Sequence, residues 1–193
     1  NLTSKYNVPL SSVDKMVITG VGASFIEGDI YSIPTYKVDE FRSIGLGGLT
    51  LSGKEEAIVV SMGTGTAYVR AAKNEIRHIG GSGVGGGTLI GLAQKLVKED
   101  NFDMINELAK NGDLLKVDLT IKDISKNLIP SLPPDTTASN FGSIKSLANN
   151  SDLALGLINM VFQTIGMLAV FACKNDTIKD VVLIGSLTEI PQA

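Results

Sequence analysis

The sequence predicts an α/β fold in which a mixed sheet is flanked by helices, and three observations carry that expectation. The run Ala57–Ser61 is apolar and β-branched and ends at Gly63-Thr64-Gly65, the pattern of a buried strand that turns sharply. Tyr68–Ala72 and Glu75–Ile79 read as a return hairpin turned at Lys73-Asn74. Leu89–Val97 and Leu153–Cys173 carry helical patterns, the second long and apolar. Val59–Met62, Tyr68–Ala72 and Ile76–Ile79 are therefore expected side by side in one sheet, with the helices from Thr88 and Leu153 packed against it.

The other elements follow in order. Asn1–Lys15 reads as the tail of a helix and a loop, with no initiator Met. Lys15–Gly20 is a strand leading to the glycine turn Gly20–Ser24, and Ile30–Pro34 and Thr35–Val38 are short strands around a proline. Asp39-Glu40-Phe41 opens a helix that runs to Gly53; its Gly45, Gly47 and Gly48 weaken a free helix, so close packing has to compensate. Met104–Lys110 is a helix stopped at Asn111-Gly112, Val117–Ile121 a strand and Lys122–Leu128 helical. Pro130, Pro133 and Pro134 stiffen a loop that leads into a helix over Asn140–Ala148; Ser151 or Asp152 caps the long helix, and Val181–Gly185 is a final strand.

Composition narrows the function. The chain has 193 residues, 44% hydrophobic and 19% charged, with 21 glycines and no Trp, enough for one or two compact α/β units. A net charge of −3 without a basic block argues against nucleic acid as a partner. The single Cys173 excludes an internal disulfide and fits a reducing cytosol, and one His with one Cys cannot build a zinc site from those ligands. Leu153–Cys173 is long enough to span a membrane. It has no aromatic belt or basic flank, and Asn159, Gln163 and Thr164 break its apolar surface, so a buried central helix without membrane contact is expected.

Glycines at 80, 81, 83, 85, 86 and 87 stand immediately before the helix that opens near Thr88. One glycine turn after a strand and another at a helix start can surround phosphate with backbone N–H groups. Gly81-x-Gly83-x-x-Gly86 also matches the dinucleotide fingerprint, but the residues after it, Lys98–Asp103, are helical or loop in pattern, where that fingerprint needs an acidic residue after a second strand. No Lys-Ser/Thr pair ends the run, so it is not a Walker loop. The remaining alternative is that the glycines only build tight turns and close helix packing.

Val60-Ser-Met-Gly-Thr-Gly-Thr66 followed by Gly80-Gly-Ser-Gly-Val-Gly-Gly-Gly-Thr88 resembles the type II pantothenate kinase family of the actin-like sugar-kinase superfamily. Asp39-Glu40-Phe41, the stretch Asp135–Gly142 ending in Phe-Gly, and Val182–Ser186 agree with it in order. The resemblance implies an actin-like, ribonuclease H-like sheet. It also implies that the family's Asp-x-Gly-Gly-Thr hairpin and its last strand and helix are missing, so that both ends have been cut from a longer protein. Residues 1–56 are then the remainder of an N-terminal lobe and 57–193 an incomplete C-terminal lobe. A cytoplasmic homodimer using ATP and Mg2+ is implied as well.

The resemblance assigns roles residue by residue. Glu40 is the catalytic base for the acceptor hydroxyl; residue type alone reads it as a first-turn Glu favouring the helix dipole, with Asp39 as a cap. Gly63, Thr64 and Gly65 hold phosphate, and Gly85, Gly86, Gly87 and Thr88 donate backbone N–H groups at the helix start. Phe102 falls near the nucleotide, or is an ordinary core Phe, and Ser186 is a further nucleotide candidate. Two positions depart from the family. Ala67 stands where it usually has Ser, and His78 where an arginine binds pantothenate; Arg77 is one residue off and points to the opposite strand face. A solvent-facing His78 is the plain alternative. These departures leave open a kinase for another alcohol, such as a sugar, and a nucleotide-sensing relative without turnover is the third reading.

Overall fold

The computed structural model describes Lys5 and residues 7–191. The helix tail expected at the start lies outside the described residues, apart from Lys5. Two short strands, β1 (Met16–Ile18) and β2 (Thr35–Lys37), pair in parallel. Helix α1 (Glu40–Ser52) follows, capped by Asp39, whose Oδ1 accepts the Arg42 N–H at 2.8 Å. Next come β3 (Glu56–Met62), β4 (Thr66–Ala72) and β5 (Glu75–Ser82), then α2 (Gly86–Leu96) and α3 (Phe102–Ala109). The small pair β6 (Leu119–Thr120) and β7 (Thr137–Ser139) flanks a single helical turn, α4 (Ile121–Ile124). The long α5 (Asn150–Lys174) and β8 (Val181–Ile184) complete the fold.

The main sheet has the order β5-β4-β3-β8, antiparallel through β3, β4 and β5 and parallel between β3 and β8. The three expected strands are neighbours, and the sheet is mixed. Alternation along β3 sorts its side chains between two layers. Ala57 and Val59 face α1, with Val69 and Ala71 of β4, Phe41 and Ile44. Ile58, Val60 and Met62 face the other way, onto Leu89 and Ala93 of α2 and Leu157, Val161 and Ile165 of α5. Ile58, Val59 and Val60 are fully buried, each contributing about 1.5–3 kcal/mol. A Cβ on Gly45 would stand 2.7 Å from Ile76 Cγ2, and one on Gly48 2.8 Å from Val59, so these two glycines let α1 lie close on the sheet; Gly47 meets nothing within 4 Å.

The long helix α5 packs one face into the core through Ala154, Leu157, Ile158, Val161, Ile165 and Ala169, while Met167, Val170 and Phe171 near its end are exposed. By length and composition alone it could cross a membrane. Of its two glycines, Gly156 packs on Val117 and Phe141, whereas nothing lies within 4 Å of a Cβ on Gly166.

Four local expectations are corrected. The cap of α5 is Asn149, whose Oδ1 accepts from Ser151 and Asp152 N–H, while Asp152 accepts the Asn149 N–H in return. Helix over Lys122–Leu128 shrinks to Ile121–Ile124, and strand over Val117–Ile121 to two residues. No helix forms at Asn140–Ala148: Phe141 has φ +57°, and the Ser143 and Lys145 N–H groups go to the Val117 and Lys116 carbonyls. Donors spent on another segment cannot close a helical turn.

Candidate functional site

Strand β3 ends in the turn Gly63–Gly65, closed by Gly63 N–H to the Gly65 carbonyl at 2.9 Å. The turn sits at the carboxyl end of β3. Beside it the parallel β8 ends at Gly185, where φ is +106° and a Cβ would lie against the Met62 carbonyl. Carboxyl ends of parallel strands are where α/β sheets bind ligands. A cleft of about 480 Å³ opens here. It brings together Glu40, Gly63, Thr64, Gly65, Ala67 and His78, with Val21, Phe41, Ile44, Ser61, Thr66, Gly81 and Ser82.

The second glycine run is tied to the first turn by the main chain. Gly86 N–H donates to the Gly63 carbonyl at 2.8 Å and Gly87 N–H to the Thr64 carbonyl at 2.9 Å. A Cβ on Gly85 would stand 2.8 Å from Gly65 Cα, so only glycine permits this approach. Side chains finish the clasp: Thr66 Oγ1 donates to the Val84 carbonyl, Thr88 Oγ1 to the Gly83 carbonyl, and Ser82 Oγ accepts the Val84 N–H. The carbonyls of Gly63 and Thr64 thus cap α2, and the positive end of its dipole abuts the turn. Gly86 and Gly87 spend their N–H groups within the protein here, and Gly85–Thr88 do not line the cleft.

Glu40 is the first residue of α1, half-buried, and lines the same cleft as the turn. Phe41 beside it stacks on His78, with ring centroids 4.1 Å apart and planes at 21°. His78 is exposed, so it faces solvent on one side while its ring stacks on Phe41. Arg77 is outside the cleft, exposed and 3.7 Å from Glu75, and lines the adjoining cavity together with His78. Phe102 packs on the main core. Ser186 is exposed at the start of the 3-10 turn Ser186–Glu189. A second cavity of about 520 Å³ shares His78 and Gly81 with the first and reaches Tyr68, Phe171 and Asp176. Burial pushes the Tyr68 phenol up to about 12, and its hydroxyl donates to the Ile165 carbonyl at 2.9 Å, so Tyr68 is a neutral wall.

Ser61 and Phe41 fall inside stretches that carry the resemblance, but neither they nor Ile44 carry a site role there. Alternation from Val59 puts Ser61 on the α1 face, but only the folded chain shows that it lines the cleft.

The profile of a family described as Fumble matches residues 1–192. The chain belongs to that family. Among its relatives, the type II pantothenate kinase of Oceanobacillus iheyensis is 34% identical over 159 residues, 81% of this chain and 59% of the relative. The enzyme of that name from Bacillus cereus is 30% identical over 91% of this chain and 67% of its own length. The Staphylococcus epidermidis one is 31% identical over 90% and 69%. The chain thus spans about three fifths to two thirds of the length of these curated relatives.

Proposed function

We propose that the intact protein is an ATP-dependent kinase that phosphorylates the primary alcohol of pantothenate, the first step of coenzyme A synthesis. The observation that carries this reading is the cleft itself, whose lining includes both a carboxylate residue, Glu40, and the glycine turn Gly63–Gly65 with Thr64. The relatives named type II pantothenate kinase supply the reaction. ATP, bound with Mg2+, supplies the phosphoryl group. The lining supports such a ligand through the exposed Gly63–Thr64 turn and the Thr64 side chain rather than through the start of α2, whose Gly86 and Gly87 N–H groups are already bonded, and about 480 Å³ suits a small acceptor.

In this reading Thr64 and the turn hold phosphate, and Glu40 takes the proton of the attacking hydroxyl. Phe41 fixes His78 at the acceptor side. The fold is that of an actin-like kinase, with 1–56 belonging to an N-terminal lobe and 57–193 to a C-terminal one. Because α1 lies on the sheet of the second lobe, it joins the two. The protein works as a cytoplasmic homodimer.

Glu40→Gln in the intact protein tests the reading. The amide keeps the size and hydrogen bonds of the carboxylate but cannot take a proton. Turnover of pantothenate is expected to fall about 10²–10⁴-fold, roughly 3–5 kcal/mol in the barrier, with ATP affinity and melting temperature unchanged. Near-normal turnover with a slightly lowered melting temperature would reduce Glu40 to a helix-start residue. Light scattering on the same preparation reads the dimer, and a monomer at micromolar concentration removes it.

A further inference from the structure

Four hydroxyl side chains line the cleft: Ser61, Thr64, Thr66 and Ser82. Thr66 and Ser82 are committed to the backbone of Val84, so neither is available to a ligand without dismantling the clasp between the glycine runs. Thr64 stands in the turn itself. That leaves Ser61, on β3 one residue before the buried Met62 and on the same strand face as Ala57 and Val59.

Its surroundings favour a ligand. Ser61 is half-buried, and directly across the antiparallel ladder is Ala67. Paired side chains stand about 4.5–5.5 Å apart, and a methyl offers Ser61 no hydrogen bond. Phe41 and Ile44 are apolar walls, and Glu40 and His78 are the other polar groups outside the glycine turns and the Thr66–Ser82 clasp. A partly desolvated hydroxyl in such a place gains most by bonding to whatever fills the cleft.

We propose that Ser61 is a specificity-determining residue that seats the acceptor through a hydrogen bond from the lining of the cleft. The inference rests on the kinase reading above. The acceptor presents a hydroxyl, amide or carboxylate to Ser61 Oγ, while its reacting alcohol faces Glu40. Ala67 leaves the neighbouring strand position free of a competing hydroxyl.

The test uses the intact protein with pantothenate and ATP varied separately. Ser61→Ala is expected to raise the KM for pantothenate about 3- to 10-fold, the worth of one hydrogen bond, with the KM for ATP and the melting temperature unchanged. Ser61→Ala should also change the ranking of a panel of acceptor alcohols, whereas loss of a purely structural serine would leave that ranking as it is. An active wild type whose Ser61→Ala variant keeps the pantothenate KM overturns this inference alone. A change confined to the KM for ATP or to the melting temperature overturns it as well. A wild type without activity on pantothenate overturns the kinase reading, and this inference with it.

Discussion

The clasp between the two glycine runs and the polar cluster around Asp118 both hold irregular backbone in place, by opposite means. In the first, main chain meets main chain: Gly86 and Gly87 donate to Gly63 and Thr64, and the missing side chains allow the approach. In the second, one carboxylate, 1% exposed, gathers donors from separate segments. Asp118 accepts from Phe141 N–H at 2.9 Å, Thr137 Oγ1 at 3.1 Å and Asn159 Nδ2 at 2.9 Å, with Asn140 Nδ2 at 3.5 Å. These donors are uncharged, so hydrogen bonds rather than an ion pair stabilise the buried charge. A clasp of backbone is sensitive to added bulk, and a clasp built on one side chain is sensitive to its removal.

The largest effect is expected at that side chain. Asp118→Ala strands several buried donors at once and should destabilise by about 3 kcal/mol, lowering the melting temperature by roughly 6–12 °C in a chain of this size. The loop 137–142 should lose amide protection with it. A melting temperature unchanged within about 2 °C would mean that the loop is held by its other contacts.

Added bulk gives the next effect. Gly85→Ala puts a methyl 2.8 Å from the backbone of Thr64 and Gly65, where no flexible side chain can yield. Overpacking of this kind costs about 1–3 kcal/mol, and if the proposed function holds, displacement of the Gly63–Gly65 turn should lower turnover as well. Gly91→Ala is the internal comparison, since it lies in α2 with nothing within 4 Å of its Cβ. It should be neutral or stabilise by up to about 1 kcal/mol. Equal losses at both positions would mean that glycine in α2 serves helix geometry rather than the clasp.

The same contrast explains what could be read from the residues. Ala57–Ile79 showed its strands because apolar alternation and turn residues are local signals, and the cleft followed because glycine-rich turns advertise close approach. The fate of Gly86 and Gly87 was not legible, since a helix start that donates to a ligand and one that donates to a neighbouring turn have the same sequence. Nor was the Asp118 cluster: Asp118, Thr137, Asn140 and Asn159 each suit an exposed position, and only tertiary packing gathers them. The helix expected at Asn140–Ala148 failed for that reason, its N–H groups having gone to Lys116 and Val117. The stack of the exposed His78 on Phe41 was not legible either, because the two rings are far apart in sequence.

The smallest effect separates the two kinds of clasp by pH. Asp152 is fully buried at the start of α5 and, like Asp118, ties segments together. Its Oδ1 accepts the Asp113 N–H and its Oδ2 the Asn149 N–H, both at 2.9 Å, with the Lys116 ammonium 3.3 Å from Oδ2. Burial alone pushes this carboxyl up, but the two N–H groups and Lys116 outweigh it and hold it below the ordinary carboxylate range. A group depressed on folding adds stability that is fully present above its unfolded value, about 3.9, and lost as pH falls through the folded one. Asp152→Asn cannot ionise. It should therefore be less stable than the wild type near neutral pH, and the gap should narrow as the solution is acidified below the ordinary carboxylate value. Denaturant midpoints of both proteins across that range measure the gap. The glycine clasp has no ionisable group in its bonds, so the Gly85→Ala deficit should stay constant over the same range. A gap for Asp152→Asn as flat as that of Gly85→Ala would show that the carboxylate acts by shape alone, and the distinction between the two clasps would then lie in packing rather than in charge.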